Sequence, residues 1–248
     1  MDILFFTIAI SFYNVRSIHY NSLLSLMLEG GILLINNIRN KFLSFNIKKH
    51  KKKMQKLYNG SNITIISNNC LAGVIYNILD LEFCSPTINQ WMKMAEYYEF
   101  VSNLKYYMQC ELVENVEESK NWKFPVGTLI AKDSSHNNLN IYFNHYDTFE
   151  NAKTKWEKRK QKILWDKLYV IYDFNDKDFD GELLYKFDEL PYKHKISLTH
   201  YKSFDEIKNT YKMNCISDNE DIVKEFDYYG LSGKRYFEEW DYIDFLTK

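Results

Sequence analysis

The chain is short of cysteine, of arginine, of net charge and of long apolar runs, and each shortage removes a class of function. Basic and acidic residues nearly cancel, 32 against 33, for a net charge of −1. A dedicated nucleic-acid binder carries a strongly basic face, so no nucleic-acid partner is expected. The four cysteines, Cys70, Cys84, Cys110 and Cys215, form no CxxC pair and no metal-ligand spacing, so no metal is expected. Four in 248 residues do not make a disulfide scaffold, and the default location is a reducing cytoplasm. The apolar run Ile3–Phe12 falls well below the about 20 residues that span a bilayer. It also lacks the basic start and small-residue cleavage site of a signal peptide. There is no Walker A loop, no GxGxxG and no HExxH.

What is present suits a folded domain. Hydrophobic residues make up 46%, enough for a sizeable core. The aromatic share of 17% accompanies abundant Lys, Asn and Ile, and composition alone gives it no functional meaning. Residues 1–61 read as an N-terminal helical arm, of which 1–26 precede a second methionine, Met27, and need not join the folded protein. Within the arm, Ile32, Ile35, Ile38, Phe42 and Phe45 recur at helical spacing. The lysines Lys48, Lys49, Lys51, Lys52 and Lys53 follow. An apolar stripe beside a basic cluster suits peripheral contact with an anionic membrane, and it equally suits a solvated surface helix.

From Asn62 to the C-terminus the pattern is that of a single α/β domain. Residues 63–67 predict a buried strand, and Leu71, Val74, Ile75 and Ile78 an apolar helix. A long helix is expected over Asn89–Cys110, a hairpin with strands near 128–132 and 140–145, and a helix over Phe149–Trp165 with Thr148 as its N-cap. Strands at 168–172 and 195–199, with a helix at 181–190 between them, continue the alternation. A short helix at 204–209, a strand near 211–215 and a helix at 236–246 complete it. The expected architecture is a three-layer Rossmann-like domain with a mostly parallel sheet and an additional β-hairpin.

The polar turn Ser67-Asn68-Asn69-Cys70 stands between the first strand and its helix. Open α/β sheets collect their chemistry at such strand ends. A thiol at a helix N-terminus is drawn toward the thiolate, so Cys70 is the candidate nucleophile. His145, at the end of a predicted strand, is the candidate base, with Asp147 or Asp166 to orient it. Asn68, Asn69 and the turn amides are candidate oxyanion donors. Arg159 is one of four arginines, and its planar fork suits an anionic substrate group.

Several motifs resemble a bacterial family, the domain of unknown function family 1919. They are Ser67-Asn68-Asn69-Cys70, Ser85-Pro86-Thr87, Leu104-Lys105-Tyr106-Tyr107-Met108, Pro125-Val126-Gly127, His145-Tyr146, Lys155-Trp156 with Arg159 and Trp165-Asp166, and Leu190-Pro191-Tyr192-Lys193. Members are commonly labelled exopolysaccharide or capsular polysaccharide biosynthesis proteins. The resemblance implies a role in surface polysaccharide assembly, in the cytoplasm or on the inner face of the membrane, on a sugar or lipid-linked saccharide. It does not supply a reaction. The favoured version is an acyltransferase with Cys70, His145, Asp147 and Asp166 catalytic, its donor left open with acyl-CoA as one candidate. Ser67, Asn68, Asn69, Ser85, Thr87, Tyr146, Trp156 and Arg159 are then expected at the substrate. The alternatives are a metal-independent glycosyltransferase-like enzyme binding a nucleotide sugar, and a non-catalytic assembly protein of the same pathway.

Overall fold

A computed structural model describes residues 33–248 except 178, 180 and 217–222. The expectations for the 1–26 extension and the run Ile3–Phe12 lie outside the described residues. Helix α1 covers 33–57. Among the described residues, 51–228 together with 235–248 pack as one unit, and 33–50 together with 229–234 as another. In the smaller unit Asn46 donates its amide to the Leu231 carbonyl at 2.6 Å. Gly233, at φ +77°, lies so close to Asn46 that a Cβ would come within 2.4 Å of backbone. Only glycine combines that φ with that approach. No helix among the described residues is long and apolar enough to cross a membrane.

The larger unit is built on a sheet in the order β1-β5-β6-β7, namely Thr64–Ser67, Leu168–Phe174, His194–Thr199 and Thr210–Lys212. All its pairings are parallel. A parallel sheet must be covered on both faces, and it is. Ile66, Val170, Tyr172 and Phe174 point into one core. Helices α3 (Met94–Ser102), α4 (Leu104–Tyr107), α6 (Phe149–Lys160) and α7 (Glu182–Asp188) all contribute buried residues to that core. Ile65, Tyr169, Ile171, Ile196 and Leu198 point into the other, with α2 (Leu71–Leu79) and α8 (Tyr242–Thr247). Each fully buried aliphatic or aromatic side chain in these layers contributes about 1.5–3 kcal/mol. The three layers and the parallel sheet are those expected.

The hairpin is also present, β3 (Val126–Ile130) with β4 (Leu139–Tyr142). It belongs to a separate antiparallel sheet completed by β2 (Glu111–Glu114), a strand the sequence pattern hides because both ends are charged. Leu112, Leu129, Leu139 and Ile141 anchor this sheet to the first core. Helix α5 (Val116–Trp122) lies between β2 and β3 in the chain.

Other differences from expectation have local causes. The helix expected over 89–110 is two helices broken at Asn103, whose φ and ψ are −128° and 37°. Ser102 donates its hydroxyl to the Tyr98 carbonyl at 2.7 Å and Asn103 its amide to the Glu99 carbonyl at 3.4 Å. Such side chains compete with the backbone for its own partners. Residues 204–209 form turns rather than a helix, and 236–246 divides into a 3-10 turn and α8. Strand β5 runs on to Phe174, two residues past its apolar signal. Thr148 does cap α6, accepting from the Asn151 amide at 3.3 Å.

One buried phenol ties β1 to β5. Tyr97 of α3 places its hydroxyl 2.8 Å from the Ile171 carbonyl and 3.1 Å from that of Ile66. The substitution Tyr97→Phe is expected to cost about 1 kcal/mol in urea denaturation, with no change in secondary structure by circular dichroism. Unaltered stability would remove this clamp from the account.

Candidate active site at the sheet edge

Every strand of the parallel sheet delivers a polar residue to one place, at or just beyond its C-terminal end. β1 leads into Asn68, Asn69 and Cys70. Asp173 is the penultimate residue of β5, β6 is followed at once by His200, and β7 is followed by Cys215. The period of two along a strand puts them on one face. Ile65, Ser67 and Asn69 share a parity, as do Tyr169, Ile171 and Asp173, then Ile196, Leu198 and His200, then Tyr211, Met213 and Cys215. The apolar members of each set lie in or against the core that contains α2. The sheet that buries them therefore also carries polar groups to the rim of the same layer.

The polar groups are buried and joined. Asp173 and His200 have no exposed side-chain surface, and their Oδ1 and Nε2 are 2.5 Å apart. His200 Nε2 is also 3.4 Å from Glu225 Oε2. The Asn69 amide donates to Asp173 Oδ2 at 2.5 Å and to Glu225 Oε1 at 3.1 Å. Asn68 brackets the Asp173 backbone, donating to its carbonyl at 2.8 Å and accepting from its N–H at 2.9 Å. On the far side of the imidazole, Nδ1 lies 3.4 Å from Cys215 Sγ. Lys212 donates its ammonium to the His200 carbonyl and, at 3.1 Å, to that of Met213.

Burial governs the titration of this group. It pushes the Glu225 carboxyl well above the usual carboxylate range, and the negative charge of Asp173 pushes it further. Burial also moves the Cys215 thiol up to about 12. Cys70 is half-buried at the start of α2. Burial first, and the charge of Glu225 second, push its thiol up to about 11. The thiolate expected from the helix N-terminus is therefore overturned: Cys70 rests as a protonated thiol.

The structure separates the expected site residues into those near this centre and those elsewhere. His145 and Asp147 are exposed in the loop after β4, with His145 Nε2 3.4 Å from the Asn144 amide. The imidazole hydrogen-bonded to an acid beside the turn is that of His200. Asp166 is exposed in the 3-10 turn just before β5, at the N-terminal edge of a parallel sheet whose C-terminal edge carries Cys70. It cannot orient a base there. The turn amides are partly engaged, since Asn69 Oδ1 accepts from Leu71 at 3.0 Å and Ser67 Oγ from Ala72 at 3.1 Å. Asn68 and Ser67 are thus structural.

Ser85 and Thr87 are fully buried, and Thr87 Oγ1 accepts from the Ser67 amide at 3.2 Å. They brace β1 and offer no hydroxyl to a sugar. Trp156 is core, 1% exposed. Tyr146 and Arg159 stand closer to expectation. Burial raises the Tyr146 phenol, Arg159 draws it down, and nearby Cys70 raises it again. Arg159 donates to the Tyr146 hydroxyl at 2.8 Å and to the Ile88 carbonyl at 3.3 Å, and lies 5.1 Å from the centre of the Phe83 ring. The guanidinium is thus fixed against Tyr146, Ile88 and Phe83.

Asp173, His200 and Glu225 escaped the sequence reading. Asp173 is an acid inside an apolar strand, and His200 is the first residue after one. Either is visible as a titratable group at the end of a buried run. Glu225 follows no periodic element and left no such signal. Among the described residues, the same three form a group able to hold a metal ion, each offering one ligand atom within 4.8 Å of the others.

The family model described as a domain of unknown function (DUF1919) matches residues 38–247. A protein of Haemophilus influenzae described as uncharacterized is 27% identical over 196 residues, covering 79% of this chain and 89% of its own length.

The raised Glu225 carboxyl has a consequence for stability. Its folded value lies above its unfolded value of about 4.5, so the folded chain binds the extra proton. That contribution is complete below about pH 4.5 and is lost as pH rises toward the folded value, at up to about 1.4 kcal/mol per pH unit. Glu225→Gln is expected to flatten this decline and to be more stable than the parent at neutral pH. Urea melts of both proteins from pH 4 to 9 provide the check, and parallel curves would contradict the assignment.

Proposed function

The chain belongs to the DUF1919 family, and we propose that it is a transferase of bacterial surface-polysaccharide assembly that moves an acyl group onto a sugar. The observation that carries this reading is the position of Cys70 at the first strand-to-helix turn, directly after Asn69, whose amide bonds both acids of the buried group Glu225–His200–Asp173. A thiol, a neighbouring carboxyl whose affinity for a proton is raised, and an imidazole fixed by an acid are the parts that covalent acyl transfer requires. The pathway itself is supported by the motif resemblance.

In this reading the Cys70 sulfur bonds to the acyl carbon of a donor thioester as the donor's carbon–sulfur bond breaks. The thiol proton reaches the departing thiol through the polar group that Glu225 fronts. The sugar hydroxyl then takes the acyl group, and its proton returns to Cys70. A thiol resting near 11 makes proton removal part of the bond-forming step rather than a preceding equilibrium. Arg159, hydrogen-bonded to the Tyr146 hydroxyl, is the candidate contact for donor phosphates. The exposed lysines Lys48, Lys49, Lys52 and Lys53, near the exposed Phe42 and Phe45 of α1, suit work on a lipid-linked saccharide at an anionic membrane face.

Incubation with acetyl-CoA and intact-mass spectrometry tests the covalent step. One acetyl group on Cys70 is expected in the parent and none in Cys70→Ala. Transfer to saccharide acceptors prepared from a DUF1919-containing strain is expected to fall about 10³-fold in Cys70→Ala and in His200→Ala. Full activity in Cys70→Ala would exclude the thiol. In the cell, disruption of the gene is expected to strip acyl groups from the surface polysaccharide and leave its glycan backbone.

A further inference from the structure

Three donor atoms from separate parts of the chain point at one spot beyond the sheet. His200 Nε2 is 2.5 Å from Asp173 Oδ1 and 3.4 Å from Glu225 Oε2. Metal–donor bonds of about 2.0–2.2 Å place neighbouring donors roughly 3–3.6 Å apart, so a cation needs only a slight parting of Asp173 from His200. Their other atoms are already committed. The two protons of the Asn69 amide go one to each carboxylate, on Oδ2 of Asp173 and Oε1 of Glu225. Nδ1 of His200 faces Cys215 Sγ. What remains on each side chain is the single atom that faces the shared point. Outer partners that aim ligands in this way are the usual support of a metal centre.

Charge argues in the same direction. Asp173 and His200 have no side-chain exposure and Glu225 has 5%. Two buried carboxyl groups meet one imidazole, and a single ring N–H cannot satisfy both. A cation seated between them would displace the proton that Glu225 otherwise holds and pair with both carboxylates.

We propose that Asp173, His200 and Glu225 bind one divalent first-row cation, zinc more tightly than manganese. The donor set is one nitrogen and two oxygens. Cys215 is turned to the other ring nitrogen, and no sulfur belongs to the group. The order of affinity follows from the general preference of nitrogen and oxygen sites. Three protein ligands leave a coordination position open, the pattern of catalytic rather than structural zinc. The expectation of no metal came from local spacing, and these ligands stand 27 residues apart from Asp173 to His200, beyond the reach of any short motif. The inference uses the residues of the reaction proposed above and does not depend on that reaction.

The experiment is calorimetric titration of the full metal-stripped chain with zinc chloride and with manganese chloride, with metal content by elemental analysis. One ion per chain is expected. His200→Ala should abolish binding, and Asn69→Ala should weaken it by about 10- to 100-fold. Cys70→Ala should bind as the parent does. Cobalt(II) absorption of the parent reads the ligand set without any substitution, so it decides even if His200→Ala does not fold. Weak bands without a thiolate charge-transfer feature support the assignment. Absence of saturable binding, binding unchanged in His200→Ala, or a strong thiolate band would overturn it. Metal binding retained alongside a failed acylation test would remove the reaction and leave the site.

Discussion

The constraint on which the rest depends is the burial of Asp173. A carboxylate at the end of a central parallel strand is costly unless every lone pair is occupied. Here the occupants come from each neighbour. β1 supplies Asn68 to the backbone and Asn69 to one oxygen, and β6 supplies His200 to the other. Glu225 is drawn in through the same two partners. Removing any one member strands the others in low dielectric, where an unpaired group costs more than its hydrogen bond contributed. The sheet order and the polar centre are therefore one problem with one solution, since β5 lies between β1 and β6.

That view explains why the turn after β1 is so polar. Asn68, Asn69 and Ser67 read naturally as donors for a bound substrate. In the structure they serve first to hold Asp173 and to cap α2. Function is left to the side chains they orient. Cys70, next in the chain, is the member of the turn that remains half-exposed, and this is why the proposed chemistry falls to it while its neighbours act as supports.

Much of the fold was legible because periodicity is local. The three-layer parallel sheet, the hairpin, the α6 cap at Thr148 and the strand-to-helix turn at Cys70 all follow from patterns within a dozen residues. What failed was also local in cause. Ser102 and Asn103 broke a helix by bonding back to its carbonyls, and the charged ends of Glu111–Glu114 disguised a strand. Of the polar centre, the sequence pattern pointed only to the turn after β1, which holds Asn68 and Asn69. His145 competed well for the role of base because it follows a strand, but that strand belongs to the antiparallel sheet. Seeing that His200 meets Asp173 needed the sheet order, which no single-segment pattern contains.

The shared parity of Asn69, Asp173, His200 and Cys215 has a consequence for how this protein changes over time. A strand that gains or loses one residue upstream of its polar member turns that member to the opposite layer. For β5 and β6 this would drive a carboxylate or an imidazole into a wall of tyrosine and phenylalanine. Length variation among relatives should therefore collect in the loops and spare the runs leading to these residues. Where a strand does differ, the change should come in pairs of residues.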